Sequence, residues 1–366
     1  MRSLKNILVT GGAGFIGCNF MRVLLQKTPE FTGRIINLDH LTYAGNAASL
    51  ADIEARFGAQ GSGRYFFEKG DICDRVLAES IFKKYNIDTV VHFAAESHVD
   101  RSILGPEDFI KTNVFGTFTL LDIARNAWKS DDGIMRNDVL FHHISTDEVY
   151  GSLGNSGFFT EQTPYDPHSP YSASKAASDH VAMSYHYTYG IPVTLSNCSN
   201  NYGPYQFPEK LIPLMILNII EGKPLPVYGD GKNIRDWLFV EDHNSAVWGI
   251  LQKGRCGESY NIGGDNEWEN IKLLHYLIKI VSAKTGLVQT KVEQTVKYVT
   301  DRPGHDKRYA IDCSKIKKEI GWNQQYTFES GLDKTVDWYL SNKEWTDKIK
   351  SGEYLKWIEK CYGTRN

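Results

Sequence analysis

Thr10-Gly11-Gly12-Ala13-Gly14-Phe15-Ile16-Gly17 is the stretch that decides the fold. It follows a short apolar run at residues 6–10 and opens a helical pattern over residues 15–26. The glycine spacing is G-x-x-G-x-x-G, with the first gap one residue longer than in G-x-G-x-x-G. Positions without Cβ permit a tight turn and a close backbone approach to a pyrophosphate. The helix N-terminus behind them offers unpaired N–H groups and a favourable dipole. A plain Gly-rich turn would have the glycines but not the strand before, the helix after and an acid downstream.

That acid is Asp39, at the end of a second apolar run at residues 34–39. A carboxylate there accepts hydrogen bonds from a ribose hydroxyl and repels a 2′-phosphate, which favours NAD over NADP. Asp71 suits either an adenine-edge contact or a helix N-cap. Ala94-Ala95 places small residues where backbone can lie close to a cofactor.

Outward from this motif, β-rich runs at 6–10, 34–39, 65–69, 89–94, 140–145 and 192–197 alternate with helical patterns at 15–26, 75–85, 107–128 and 171–189. The first and fourth runs are almost continuously apolar, as expected where helices cover both faces of a parallel sheet. The order predicts an α/β, Rossmann-type doubly wound parallel sheet with a smaller C-terminal α+β substrate-binding domain. Residues 1–200 are expected to form the NAD-binding domain and 201–366 the smaller one, with segments of about 236–262 as candidates to return to the first. Helices are expected at 211–221, 241–252, 271–284, 329–340 and 344–362, and strands at 237–240 and 259–262. Residues 51–63 and 129–137 read as surface loops.

Composition sets the outer bounds. The 366 residues are 41% hydrophobic and 23% charged, which is ordinary globular usage. A formal net charge of −3 gives no polybasic footprint, so nucleic acid is not an expected partner. The six cysteines form no C-x-x-C pair or zinc spacing, and read as reduced thiols. His98 and His305 lack a third ligand at suitable spacing, so no metal is assigned. The most apolar run, residues 211–220, is broken by Pro213 and Asn218 and is too short to span a bilayer. No signal-peptide core is visible at the start, and a cytoplasmic chain is expected.

Two further segments carry chemistry. Tyr171 and Lys175 are four apart on a predicted helix and share one face. A nearby ammonium lowers a phenol's pKa and can also hold a nicotinamide ribose, making tyrosine a usable base for a sugar hydroxyl. Upstream, Ser145-Thr146-Asp147-Glu148-Val149-Tyr150-Gly151 sets two adjacent carboxylates after a strand, on the sheet edge where open α/β folds bind ligands. Different environments could leave one protonated as an acid and the other ionised as a base. Oxidation of an alcohol needs only the tyrosine and lysine. A carboxylate pair beside them points to elimination of water from the oxidised product.

At these residues the sequence resembles the dTDP-glucose 4,6-dehydratases of the extended short-chain dehydrogenase/reductase family. The resemblance rests on Thr42-Tyr43-Ala44-Gly45-Asn46, on the segment Ala94 to Ser102, on the STDEVYG and YSASK segments, on Asn197 to Pro204, and on Asp301 to Asp306. It implies that Thr146, Tyr171 and Lys175 oxidise carbon 4 of a nucleotide-linked glucose. Glu148 would then take the carbon-5 proton while Asp147 protonates the departing 6-hydroxyl. It implies tightly bound NAD, regenerated each turnover and held by Gly11, Gly14, Phe15, Ile16, Gly17, Asp39, His40, Leu41, Thr42, Asp71, Ile72, Phe93, Ala94, Ala95, Ser97, Thr112, Tyr171, Lys175 and Asn201. His40 stands where a lysine is frequent, so its backbone is the expected contact. Substrate contacts are implied for Ser97, Thr146, Asn200, Lys210, Leu211, Pro226, Tyr228, Arg235, Asn270, Asp301, Arg302 and His305. Arg235 and Arg302 offer planar forks suited to diphosphate. A homodimer is implied through two long helices per subunit, at 106–128 and 171–189. The rival readings are a nucleotide-sugar 4-epimerase or decarboxylase, which needs no such acid–base pair, and a non-catalytic NAD sensor, which has no use for a tuned phenol.

Overall fold

The computed structural model describes residues 2–130 and 132–350. Its strands are β1 (Asn6–Thr10), β2 (Arg34–Asp39), β3 (Tyr65–Lys69), β4 (Thr89–His92), β5 (Leu140–Thr146) and β6 (Val193–Cys198). Then come β7 (Asn200–Tyr202), β8 (Leu225–Tyr228), β9 (Ile234–Phe239), β10 (Ser259–Ile262), β11 (Glu267–Glu269) and β12 (Val296–Val299). Seven of them form one sheet in the order β3-β2-β1-β4-β5-β6-β10. Every neighbouring pair in it is parallel.

The strand residues explain the double winding. Along β1, Ile7 and Val9 face one core while Leu8 faces another, the alternation of a pleated strand. On the first face the strands meet Phe20 and Met21 of the helix Phe15–Arg22 and Ala246, Val247 and Ile250 of the helix Val240–Lys253. On the second they meet Ala78 and Ile81 of Arg75–Tyr85, Leu120 and Ala124 of Thr117–Ala127, and Ala182 of Pro170–Tyr189. Strand order reverses between β1 and β4, and ligands bind open α/β sheets at the carboxyl ends beside such a point.

The remaining strands build the sheets β11-β9-β7 and β12-β8. They pack with the helices Leu211–Glu221, Asn270–Thr285 and Phe328–Ser341 around a third core that includes Tyr202, Phe239, Leu277 and Leu332. Tyr202 ties that core together by donating its hydroxyl to the Phe328 carbonyl at 3.1 Å. β10, although late in the chain, extends the main sheet beside β6.

Several elements differ from the sequence expectation. The helix expected at 107–128 is Pro106–Phe109, a π-helical stretch Ile110–Gly116, then Thr117–Ala127. The wider turn accommodates Asn113, whose amide donates to the Glu96 carbonyl and to Ser174 Oγ and whose carbonyl accepts from the Glu96 N–H. Residues 51–63 are not all loop. Ala51–Phe57 is a helix that buries Ile53 and Phe57. The helix expected at 344–362 is seen as Lys343–Ile349, and its portion from 351 lies outside the described residues. Among the described residues, no helix is long and apolar enough to cross a membrane.

Pro170–Tyr189 begins with a capping box. The Ser169 hydroxyl accepts from the Ser172 N–H at 3.1 Å, and Ser172 Oγ accepts from the Ser169 N–H at 3.0 Å. Pro170 at the first position supplies a helical φ without wasting a donor. Ser169→Ala is expected to lower stability by about 1 kcal/mol, and Ser169→Gly by only a few tenths. Equilibrium urea unfolding of the two variants checks this order.

Candidate active site

The turn after β1 is shaped by what glycine lacks. Gly11 has φ +70°, and a Cβ there would lie 2.7 Å from the Ala94 backbone. A Cβ at Gly17 would lie 2.5 Å from the Gly11 carbonyl oxygen, so the helix can close onto the turn only without it. No side chain caps the helix at Gly14, which leaves its first N–H groups facing the cleft. Asp39 then joins this turn to the loop after β2: its carboxylate accepts from the Ala13 N–H at 2.8 Å and the Leu41 N–H at 2.7 Å. Burial raises its pKa, opposed by those two N–H groups and by His40.

One cleft at the carboxyl edge of the main sheet gathers most of the expected residues. Gly11, Gly14, Phe15, Ile16, Gly17, Asp39, His40, Thr42, Asp71, Ile72, Phe93, Ala94, Ala95, Ser97 and Thr112 line it. So do Thr146, Asp147, Glu148, Tyr171, Lys175, Asn200, Asn201 and Lys210. Asp71 is not the helix cap: Asp74 caps Arg75–Tyr85, whereas Asp71 accepts from the Cys73 N–H at 2.9 Å. The buried side-chain carbonyl oxygens of Asn200 and Asn201 have no partner in the protein, which is costly unless a ligand supplies a donor.

β5 ends at Thr146 and turns at once into a 3₁₀ turn, Asp147–Tyr150, capped by Thr146 Oγ1 accepting from the Glu148 N–H at 3.3 Å. With three residues per turn, neighbouring side chains no longer point to opposite faces as on a strand, and Asp147 and Glu148 both reach the cleft. Burial and the neighbouring Glu148 push the Asp147 carboxyl well above the ordinary carboxylate range, and Oδ2 of Asp147 is buried without a partner. Burial also raises Glu148, but Arg302, Lys210 and Arg235 oppose it. The pair therefore sits in unlike fields: Asp147 faces Glu148 and Asp236 against Arg235, whereas Glu148 faces Arg302, Lys210 and Arg235 against Asp306.

Tyr171 and Lys175 lie one turn apart and are both buried. Burial holds the phenol well above its ordinary pKa, and the Thr146 hydroxyl, hydrogen-bonded to it, acts downward. Sequence had given the downward role to Lys175. Burial lowers the lysine's own pKa, and its Nζ donates to the Ile144 carbonyl at 2.7 Å, so one donor is committed to the strand.

Other expected residues lie beyond the cleft lining. Leu41 meets Asp39 through its N–H. Leu211 opens the helix Leu211–Glu221 and packs on the third core, and Pro226 lies in β8 opposite Lys297. Arg235 donates to the carbonyls of Ile234 and Asp306 at 2.7 and 2.9 Å, and its guanidinium lies 4.2 Å from the centre of the Tyr309 ring. Much of its fork is thus spent within the protein. Arg302 keeps a buried Nε without a partner, as Asn270 does its side-chain oxygen. His305 Nδ1 lies 2.6 Å from Asp301 Oδ1, and the His305 ring stands edge-on to Tyr228. Burial lowers His305 to about 4.

Sequence reasoning passed over Glu96, Gln206, Phe207 and Glu209, which also line the cleft. Glu96 lies within the segment Ala94 to Ser102 that carries the resemblance, and Phe207 and Glu209 lie beside Lys210, but none was given a role. Among the described residues no group of three or more His, Cys, Asp and Glu side chains could hold a metal ion.

A doubly wound sheet with a Gly-rich first turn and a Tyr/Lys pair on a buried helix defines a short-chain dehydrogenase/reductase of the extended, nucleotide-sugar-handling kind. Within that class, the chain belongs to the GDP-mannose 4,6 dehydratase family, whose model matches residues 8–335. It is 52% identical to dTDP-glucose 4,6-dehydratase 1 of Escherichia coli (strain K12), over 98% of this chain and 99% of that one. A dTDP-glucose 4,6-dehydratase from Streptomyces venezuelae, solved with NAD bound, superposes with a TM-score of 0.85 at 46% identity, covering 94% of this chain and 100% of that one. A UDP-glucose 4-epimerase from Thermotoga maritima shares the fold at 26% identity and a TM-score of 0.79, covering 92% of this chain and 99% of that one.

The buried Asp147 carries a stability consequence. Its carboxyl holds a proton to higher pH in the folded chain than in the unfolded one. Between the two pKa values the native state binds more protons, so stability falls as pH rises through that window. Asp147→Asn is expected to raise the melting temperature at neutral pH, with the gain shrinking as pH falls and vanishing below about pH 3, where the carboxyl is neutral in both states. Differential scanning calorimetry across pH reads this directly.

Proposed function

We propose that the protein removes water from dTDP-glucose, giving dTDP-4-keto-6-deoxyglucose, with NAD held throughout. The observation that carries this reading is the Asp147–Glu148 pair on one 3₁₀ turn, facing the same cleft as Tyr171. An epimerase needs the tyrosine and lysine but has no step for the two carboxylates.

The residues present fit NAD: Gly11 and Gly17 keep the turn clear of Cβ atoms, the uncapped helix start at Gly14 suits a pyrophosphate, and Asp39 lies where a ribose would. When bound, NAD takes the hydride from carbon 4 of the sugar and returns it at carbon 6.

In this reading Tyr171 takes the proton of the 4-hydroxyl, assisted by the Thr146 hydroxyl, while Lys175 orients the cofactor ribose. The carbon-4 ketone acidifies the carbon-5 hydrogen, and Glu148 removes it. Its neighbours Arg302, Lys210 and Arg235 favour the ionised form that a base requires. Asp147, holding its proton in a dry and anion-flanked site, delivers it to the departing 6-hydroxyl. Glu148 then returns a proton to carbon 5. Arg302 with its unsatisfied Nε is the better candidate for the diphosphate, and Arg235 acts on both carboxylates through its charge.

The division of labour follows: residues 1–200 hold the dinucleotide, joined by β10, and 201–366 supply most of the sugar-nucleotide contacts. The same reading includes a homodimer through the helices at 106–128 and 171–189. Ile110, Phe115 and Tyr187 on them are 53%, 51% and 75% exposed, an unusual apolar load for free helix faces. A cytoplasmic location also belongs to this reading, because the cysteines described are free thiols.

Incubation with dTDP-glucose is expected to give a product lighter by one water, and UDP-, CDP- and GDP-glucose react more slowly. An unchanged mass with inversion at carbon 4 would overturn the reading in favour of an epimerase. Glu148→Gln is expected to cut kcat by about 10²–10⁴-fold and to abolish deuterium uptake at carbon 5 from D₂O, followed by mass spectrometry.

A further inference from the structure

Asp179 has no part in the steps above, yet it is the carboxylate nearest in chain to Lys175 on the same face, four residues along the helix Pro170–Tyr189. It is 1% exposed. One of its oxygens accepts from Ser145 Oγ at 2.7 Å and from the Tyr165 hydroxyl at 3.0 Å. Ser145 is the residue before Thr146 at the end of β5. The other oxygen lies 3.0 Å from His143 Nε2 without hydrogen-bond alignment, and that imidazole pairs with Ser178 instead. Burial keeps His143 and His92 neutral. Asp179 is therefore the buried carboxylate of the same helix whose charge favours the Lys175 ammonium through space rather than by a direct ion pair.

We propose that Asp179 is a positioning residue for the oxidation step: it is the fixed countercharge of the Lys175 ammonium, and it locks the helix bearing Tyr171 and Lys175 onto the strand end bearing Thr146. Without a countercharge, a lysine this deeply buried tends to lose its proton. Without the Ser145 bond, Thr146 and Tyr171, carried on separate elements, lose a shared reference. The other groups that face the pair are neutral near pH 7 or remote from it. Cys198 of β6 is a thiol pushed up to about 12 by burial, and Tyr150 and Tyr165 are phenols pushed up by burial. His180, next on the helix, acts on Asp179 only weakly, as the last of its influences. Asp179 itself is raised by burial to about 6, with Lys175 and the Ser145 hydroxyl opposing, so it is ionised at neutral pH.

This rests on the Tyr171/Lys175 chemistry proposed above. Asp179→Asn keeps the shape and one acceptor for Ser145 and Tyr165 while removing the charge. In the full-length protein, ¹⁵N-lysine NMR titration, assigned with Lys175→Met, is expected to show the Lys175 pKa falling by about one unit or more. The alkaline limb of the kcat profile moves down with it, and KM for dTDP-glucose changes by less than about twofold while kcat drops about tenfold above that pKa. In the Lys175→Met background, Asp179→Asn is expected to add no further loss of kcat. A lowered melting temperature with an unmoved Lys175 titration and an unmoved pH profile overturns the proposal and leaves a packing role. Should the wild type fail to dehydrate dTDP-glucose while the titration still shifts, the reading of the reaction fails and the countercharge stands.

Discussion

Seven strands running the same way are the constraint on which the rest depends. Because every pair in the main sheet is parallel, all the strand ends that could carry chemistry emerge on one edge. The glycine turn after β1, Asp39 at the end of β2, Phe93 and Ala94 after β4, and Thr146 at the end of β5 meet there although they are far apart in sequence. An antiparallel arrangement would have divided them between two edges. The parallel sheet in turn requires helices on both faces, and one of those covering helices, Pro170–Tyr189, brings Tyr171 and Lys175 to the same edge.

The site is expensive to fold. Asp147, Asp179 and Asp236 are each 1% exposed, and burial raises all three above the ordinary carboxylate range. Lys175 and Arg235 are 5% exposed, and burial lowers both. Desolvated charges of both signs are tolerable because each faces an opposite one or a set of fixed donors. Asp236 shows the second solution: its oxygens accept from the Gly264 and Asn266 N–H groups at 2.9 and 2.7 Å. Asp147 has the poorest set, with one oxygen unpaired, and it is the group to which the proposed reaction assigns proton delivery. Three apolar cores offset this expense.

Much of the fold was legible because its signals are local. β1, β2 and β3 were read at the bounds observed, since an apolar run closed by Gly, Asp or a charge leaves little choice. Boundaries slipped where local and tertiary demands differ. β4 stops at His92, whose ring bonds Thr10 of the neighbouring β1 and Thr117 of the covering helix Thr117–Ala127, before the backbone leaves at Phe93 to meet the glycine turn. The π-helical stretch at Ile110–Gly116 was invisible because Asn113 there bonds Glu96 and Ser174, partners 17 and 61 residues away. β7, β8, β11 and β12 are three or four residues long and exist only because partners lie beside them.

By itself the sequence determined the dinucleotide turn, the tyrosine–lysine spacing and the adjacency of two acids, because each depends on a helical repeat or on neighbouring covalent positions. Tertiary structure alone decided what those groups are chemically. The difference between Asp147 and Glu148 comes from Lys210 and Arg302 in loops beyond the main sheet, which act on Glu148, and from Asp236 on β9, which acts on Asp147. The downward pull on the Tyr171 phenol comes from Thr146 on another element, and the countercharge of Lys175 from Asp179 is fixed by Ser145 and Tyr165. Charge and solvation act through space. A sequence records which ionisable groups are present, and only the packed chain records which of them share a dry cleft.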